Sequence, residues 1–553
     1  MMADLPLTLA DAAAGLRSRA FSSVELTTAL RARADEFDSV LGSYVARFDE
    51  SALRAAAQAD ADFASGIDRG PLQGIPIGVK DLLAASEGPT TANSIVLDPA
   101  WGAGTDAPVV RRLRHAGAVL TGKTSTYEFA MSPPHPSSPF PTARNPWDLS
   151  RSPGGSSSGS ASGVAAGFFL AALGTDTGGS IRGPAAWTGI TGLKPTFGLV
   201  PKSGCVPLAQ SLDHVGPMAP SAQDCALVLQ VIAGHHASDE SSARRPVDRF
   251  AVDPHRDLTG MRIGVVREHH FPENSDPAAE PAYRDALARL EERGAVLVDV
   301  ALPRYREAVA SVWIMVSGDA LAYHLDDLRS RWDDFLPTTR LNVATGALIS
   351  GADMVQAARA RRIAQLELAD LFRHVDIIAT PTATIPAAPL ADLMVPGIER
   401  GLGGGVFTPY WNAVGVPTIA VPMGANAEGL PLSIQLAAPA FADRLLLDVA
   451  AAYQRDTDWH LRRPEFGDSG VGASGPAPTR DLADLQQVRT LLAASGIHPP
   501  EDDIETLADA YAPRREMVEW LYALAEARYG TTSLINEVAP ERVSWSDPEG
   551  DER

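Results

Sequence analysis

Two serines and one lysine have the neighbours that nucleophilic chemistry requires. Ser180 closes the run Asp-Thr-Gly-Gly-Ser, Ser156 lies in a Gly- and Ser-rich segment 24 residues earlier, and Lys80 follows the apolar run Ile75–Val79. An amide is a poor electrophile, so a serine that attacks it needs a base within hydrogen-bonding distance. A lysine can be that base if burial among apolar side chains lowers its pKa.

The turn that ends at Ser180 also suits the negative charge that develops during attack on a carbonyl. Gly178 and Gly179 permit positive φ angles and a close approach of the backbone to a substrate. Successive backbone N–H groups at such a turn form an anion-binding concavity. We therefore expect an oxyanion hole made by the N–H groups of Thr177, Gly178, Gly179 and Ser180.

Two shorter patterns indicate other functions, and we reject both. Residues 117–124, GAVLTGKT, fit the P-loop template, but the segment between the glycines is itself strand-like and no strand precedes it. Lys123 is then expected to be a structural or surface lysine. Residues 155–159, GSSSG, fit the nucleophile elbow of α/β-hydrolases, but that elbow needs a preceding strand, and Pro153 disfavours one.

A longer pattern is more specific than either. It comprises PGGSSSGSAS at 153–162, GTDTGGSIR at 174–182 and GLKPT at 192–196. This block closely resembles the signature of the amidase signature family. GIPIGVKD at 74–81 and GKTSTYEFA at 122–130 resemble its upstream segments. Together with similar segments downstream, the resemblance covers roughly residues 5–460.

The resemblance assigns roles to particular residues. It implies that Ser180 is the nucleophile, that Ser156 lies in a cis peptide and relays the proton, and that Lys80 is the base, a variant of triad logic. It also implies that Ser157 and Arg182 support these groups and that Asp176 braces the loop. One departure is that Ser158-Gly159 stands where the family usually has Gly-Gly.

The expected function is hydrolysis of the C–N bond of a small-molecule amide, with ester or carbamate cleavage as further activities. Four aromatic residues are expected to line the acyl or amine pocket, with core packing as the alternative: Tyr127, Phe129, Tyr410 and Trp411.

The resemblance leaves one main alternative to this function. The chain is then the A-type subunit of a glutamine-dependent amidotransferase, or part of a multi-subunit ammonia-releasing hydrolase. Residues 395–412 carry Glu399 and Arg400 but no clear match to the glutamine-binding pattern, and Gly401–Gly405 predicts a flexible loop. A non-catalytic scaffold is disfavoured because all three triad residues are present.

Bulk properties exclude several other classes. The formal net charge of −21 provides no electrostatic footprint for nucleic acid or an anionic membrane. Two cysteines, Cys205 and Cys225, exclude a disulfide framework and a Cys-rich metal site. We expect no metal, no cofactor and, without a recognisable signal peptide, a cytoplasmic location.

The elements that must position the site alternate between strand and helix, which predicts an α/β fold. The resemblance implies a mixed central sheet covered by helices on both faces. We expect a catalytic domain over 1–464, a linker over 465–479, and a small all-helical appendage over 480–553. The appendage weakly resembles the small partner subunits of carboxybiuret hydrolase and the tRNA amidotransferase. It would wrap the catalytic domain or mediate a homodimer.

Overall fold

A computed structural model describes residues 5–393, 405–465 and 485–528 of the chain. Eleven strands in these ranges form one sheet. The strands are β1 Tyr44–Arg47, β2 Pro76–Lys80, β3 Val119–Thr124, β4 Ala171–Asp176, β5 Thr191–Lys194, β6 His214–Ala219, β7 Arg262–Val266, β8 Val296–Val300, β9 Ile377–Ala383, β10 Thr418–Ala425 and β11 Pro431–Ala437. Their order across the sheet is β1-β3-β2-β4-β6-β5-β10-β11-β9-β7-β8.

The sheet mixes parallel and antiparallel pairs. Strands β3, β2 and β4 are parallel neighbours, as are β9, β7 and β8 near the other edge. The strands between β4 and β9 pair antiparallel. All five residues of β2 are buried, which is typical of a strand enclosed within a sheet that is covered on both faces. Lys80 is its last residue, so the fold carries this lysine into the interior.

Sixteen helices are described. They are α1 Leu9–Ser18, α2 Ser23–Leu41, α3 Asp49–Ala64, α4 Pro108–His115, α5 Ser158–Ala166, α6 Arg182–Thr188, α7 Ala222–Ile232, α8 Ala279–Glu292, α9 Tyr305–Ser330, α10 Pro337–Ala344, α11 Gly351–Leu371, α12 Leu390–Leu393, α13 Pro409–Val414, α14 Asp443–Arg455, α15 Leu485–Ala494 and α16 Glu501–Ala523. Thr8 caps α1 and Ser22 caps α2 through their side-chain oxygens.

Separate hydrophobic cores lie on the two faces of the sheet. One is built from α1, α7, α8 and α14, and the other from α9, α10, α11 and α13. The predicted mixed sheet with helices on both faces is therefore confirmed. Helix α9 is long and apolar enough to cross a membrane by length and composition alone, but 56% of its apolar window is buried inside the protein, and core helices pass the same test.

The C-terminal helices α15 and α16 pack against the helices of the second core. The buried Gln356 amide on α11 donates to the Leu521 carbonyl at 2.9 Å. Arg340 of α10 pairs with Asp503 of α16 at 3.0 Å. The helical appendage is thus present and docked on the catalytic body. The predicted linker, apart from residue 465, and the appendage residues 480–484 and 529–553 lie outside the described residues, so the domain boundaries stay a prediction.

The structure agrees with the rejection of the two short patterns. Residues 119–124 form β3, a paired strand of the sheet and not a phosphate-binding loop. Lys123 is fully buried, with Nζ 3.0 Å from Asp81 Oδ1, so it is structural and not a surface lysine. The segment before Gly155 contains an isolated bridge from Arg151 to Pro389 and no strand.

Candidate active site

Lys80 ends in a buried pocket formed by hydroxyl groups. Its ammonium donates to Ser156 Oγ at 2.7 Å, Ser157 Oγ at 3.0 Å and Thr175 Oγ1 at 2.7 Å. The side chain is fully buried, and this burial lowers the pKa of Lys80 to about 7, against the weaker pull of Cys205. A lysine with this pKa is partly neutral at pH 7, as a general base must be.

Ser156 sits where the backbone is held tightly. The Gly155–Ser156 peptide is cis, and the Ser156 carbonyl accepts from Thr126 Oγ1 at 2.9 Å and from the Tyr127 N–H at 3.2 Å. A Cβ on Gly155 would collide with the Tyr127 ring, so glycine is required there. These contacts orient Ser156 Oγ towards Lys80.

Ser180 lies in the turn between β4 and α6. Its carbonyl accepts from the Ser157 N–H at 3.2 Å, and the residue lines the same cavity as Ser156. Its Oγ forms no hydrogen bond within the described part of the chain. The structure therefore joins Lys80 to Ser156 directly and places Ser180 beside them, with its hydroxyl open to the cavity.

The expected oxyanion hole requires one correction. The Gly179 N–H donates to Asp176 Oδ1 at 2.8 Å, so it is not directed at the cavity. The N–H groups of Thr177, Gly178 and Ser180 remain, and none of them has an acceptor in the described ranges. Gly179 has φ of +131°, and a Cβ there would collide with the Thr408 side chain. Glycine at 179 thus shapes the turn rather than supplying a donor.

A buried ion pair holds this turn. Arg182 Nε and Nη2 each lie 3.0 Å from an Asp176 carboxylate oxygen, and both side chains are fully buried. Arg182, together with Asn412 and Lys194, keeps the pKa of Asp176 below its usual range despite burial. Bidentate pairs of this kind fix geometry as well as charge. The contacts place Asp176 and Arg182 where the resemblance implied support, while Ser157 contacts Lys80 directly.

Sequence reasoning missed the residues that complete this network. Arg182 also donates to Asn412 Oδ1 at 2.6 Å and to Gln435 Oε1 at 3.2 Å. Thr177 Oγ1 donates to the buried Asp213 carboxylate at 2.6 Å. Asn412, Gln435 and Asp213 all fall in segments that resemble the family, which was the available signal. Thr175, the third acceptor of Lys80, lies within the signature block itself.

A cavity of about 250 Å³ opens beside Ser156 and Ser180. Of the four predicted aromatic residues, Tyr127 lines it. The others are corrections, since they pack into the second core and are at most 2% exposed: Phe129, Tyr410 and Trp411. Tyr410 and Trp411 are turned inwards by the short helix α13, and Phe129 packs on His324.

Other side chains form the cavity wall. They are Met131, Trp187, Leu208, Trp313, Val316 and Val406, with Thr408 and Pro409. Trp187 follows the signature block closely in sequence. Trp313 and Val316 come from α9, some 130 residues further on, and only the packing of that helix brings them here. The wall is apolar and aromatic, as expected, but most of its residues differ from those predicted.

Comparison with known proteins agrees with this site. The family model described as Amidase matches residues 25–447. The A-type component of the glutamyl-tRNA(Gln) amidotransferase of Chromohalobacter salexigens is 40% identical over 484 residues, which are 83% of this chain and 98% of that protein. The fold and the site define an enzyme that acts on amide C–N bonds. The chain belongs to the amidase signature family.

Two solved structures show how widely such proteins differ in role. The peptide amidase of Stenotrophomonas maltophilia has a TM-score of 0.71 and 31% identity, over 84% of this chain and all of that one. A chain from a vestigial protein complex, linked to the origins of an s-triazine catabolic enzyme, has a TM-score of 0.75 and 31% identity, over 81% of this chain and 98% of that one. Among the predicted functions, the relatives support the A-type subunit better than the small-molecule amidohydrolase, which remains compatible with them.

Proposed function

We propose that the chain hydrolyses an amide through an acyl-enzyme on Ser180, with Ser156 and Lys80 relaying the proton. The observation that carries this proposal is the 2.7 Å contact between Lys80 Nζ and Ser156 Oγ, in a buried pocket next to Ser180. A lysine held there purely for structure would be expected beside a carboxylate, because a buried charge is normally paired. Its partners are three neutral hydroxyls.

The reaction follows from these positions. Neutral Lys80 accepts the proton of Ser156, and Ser156 accepts the proton of Ser180 as Ser180 Oγ bonds to the substrate carbonyl carbon. The resulting oxyanion receives hydrogen bonds from the N–H groups of Thr177, Gly178 and Ser180. Ser156 then protonates the leaving nitrogen, the C–N bond breaks, and water hydrolyses the acyl-enzyme by the same relay.

The first substrate candidate is the side-chain amide of glutamine, with the chain acting as an A-type amidotransferase subunit. Identity of 40% over nearly the whole length of such a subunit supports it. This role would also require partner proteins that use the released ammonia. Glu399 and Arg400, the charged residues nearest the expected glutamine site, lie outside the described residues.

The second candidate is an uncharged small amide, and the cavity wall favours it. None of the described residues that line the cavity is charged. Free glutamine carries an ammonium and a carboxylate, and both lose hydration on entering such a wall unless charged groups meet them. Under this candidate, esters and carbamates of similar shape would also be cleaved.

Ammonia release by the purified full chain tests the proposal. Glutamine and a neutral amide such as hexanamide would be compared over equal concentrations, with Ser180→Ala as the matched control. Release from either substrate that Ser180→Ala abolishes supports the acyl-enzyme chemistry. Activity on hexanamide alone would select the second candidate, and activity on glutamine the first. Release that survives in Ser180→Ala would contradict the mechanism.

Other expectations remain proposals of the same kind. A cytoplasmic location would be tested by fractionating the cells that produce the chain. A homodimer would be tested by light scattering of the purified protein, where a monomeric mass at micromolar concentration would exclude it.

A further inference from the structure

A second cavity, of about 560 Å³, lies between α9 and the loop around residues 96–101. No residue lines both this cavity and the catalytic one. They are nevertheless adjacent, because Phe129 borders the second cavity and its neighbours Tyr127, Ala130 and Met131 border the first. One segment of chain therefore separates the two spaces.

Aromatic rings form much of the second cavity. Phe129, Tyr323, His324 and Trp101 all line it. The ring centroids of Phe129 and His324 are 4.2 Å apart, and those of Tyr323 and His324 are 4.7 Å apart at nearly a right angle. Aromatic faces carry partial negative charge and attract organic cations.

His324 is unusual for a buried polar residue. It is 2% exposed, and its Nδ1 has no hydrogen-bond partner within the described ranges. Buried polar atoms are nearly always paired, so an unpaired one that borders a cavity indicates a missing ligand. Burial lowers the pKa of His324 to about 4, which leaves the ring neutral at pH 7 and able to accept a hydrogen bond.

The charges around this cavity favour a cation. Asp98 and Asp327 both line it. Arg331 also lines it, but its guanidinium donates to the backbone carbonyls of residues 95–96 at 2.8 Å and pairs with Asp334 at 2.9 Å. Its positive charge is thereby committed at the rim, while two carboxylates face the space.

We propose that this cavity binds a small organic ammonium ion, such as an arylalkyl or alkyl primary ammonium. Asp98 and Asp327 supply the counter-charge, the rings of Trp101 and Tyr323 contact the apolar part, and His324 accepts an N–H hydrogen bond. This ligand class combines the three features that the wall presents. The site is independent of the acyl-enzyme chemistry.

Calorimetric titration of the full chain with benzylammonium chloride tests the proposal. We expect saturable binding that Asp327→Asn weakens at least tenfold. Asp326→Asn is the matched control, because Asp326 is the adjacent residue, its side chain is 99% exposed and it does not line the cavity. Benzyl alcohol, a neutral molecule of the same shape, should bind at least tenfold more weakly than benzylammonium.

Three results would overturn the proposal. They are absence of saturable benzylammonium binding, equal binding by Asp327→Asn and the unsubstituted chain, and equal binding of benzyl alcohol. Equal binding by Asp327→Asn would place the cation elsewhere, including the catalytic cavity. Circular dichroism establishes that each variant is folded. Should Asp327→Asn not fold, Asp98→Asn takes its place with the same expectation.

Discussion

Two buried lysines end or nearly end neighbouring parallel strands, and they differ in what surrounds the ammonium. Lys80 on β2 donates to three neutral hydroxyls. Lys123 on β3 lies 3.0 Å from the Asp81 carboxylate and donates to the Leu83 carbonyl at 2.7 Å. Both are fully buried. Equal burial therefore accompanies two opposite arrangements, one with a counter-ion and one without.

The difference shows how partners separate a reactive lysine from a structural one. Burial lowers the pKa of both lysines, but the Asp81 charge opposes that effect at Lys123. At Lys80 no carboxylate is in direct contact within the described part of the chain, so the neutral form is accessible near pH 7. The structure thus places a base at one strand end and an ion pair on the next strand.

The largest expected effect is on catalysis, at Lys80. Lys80→Met should lower kcat/KM by roughly 10³- to 10⁴-fold, because it removes the general base while filling the same space. Unfolding by urea should show that the variant is folded. Activity within tenfold of the unsubstituted chain at pH 7 would show that Lys80 is not the base.

The next effect is on stability, at Lys123. Lys123→Met leaves the Asp81 carboxylate buried without its counter-ion, which costs about 3–5 kcal/mol in the free energy of unfolding. Denaturant titration measures this, and kcat/KM per folded molecule should be retained. The double variant with Asp81→Asn removes the stranded charge and should recover much of the loss. Without that recovery, the ion-pair explanation would be wrong.

The pH dependence separates the two roles further. Since Lys80 must be neutral, kcat/KM should rise with pH and level off, with a midpoint near the Lys80 pKa of about 7. Its folded-state pKa lies below the ordinary 10.5, so the unfolded chain binds more protons between these values. Lys80 therefore opposes folding most below pH 7, and this cost declines as pH rises towards 10.5.

The corresponding measurement compares unfolding free energies of the unsubstituted chain and Lys80→Met across this range. The difference should favour Lys80→Met at neutral pH and shrink as pH increases. A difference that does not change with pH would mean that Lys80 has an ordinary pKa in the folded protein.

The smallest effect is expected at Thr175, whose hydroxyl is one of the three acceptors of Lys80. Thr175→Val removes a hydrogen bond to the charged form, so the midpoint of the pH profile should fall by roughly 0.5–1 unit. Thr175→Ser keeps the hydroxyl and should keep the midpoint. A midpoint that moves equally in both variants would assign the shift to packing.

The limits of the sequence are clearest around the catalytic turn. The spacing of Ser156 and Ser180 and the apolar run before Lys80 predicted a buried lysine beside two serines, and the structure brings Lys80 and Ser156 into contact. Gly179 was expected to donate its N–H to an oxyanion, yet the folded turn directs it to Asp176. The direction of a backbone N–H depends on the local φ and ψ, which residue type alone does not determine.

By itself, the sequence determined the α/β class, the family resemblance, the two capped N-terminal helices and the helical C-terminal part. These follow from local patterns of apolar residues, glycines and capping side chains. Only the tertiary structure decided which aromatic residues border the catalytic cavity. Tyr410 and Trp411 are buried in the core, whereas Trp313 reaches the cavity from α9. The reason is that a cavity wall is formed by elements far apart in sequence, and their packing is a property of the whole fold.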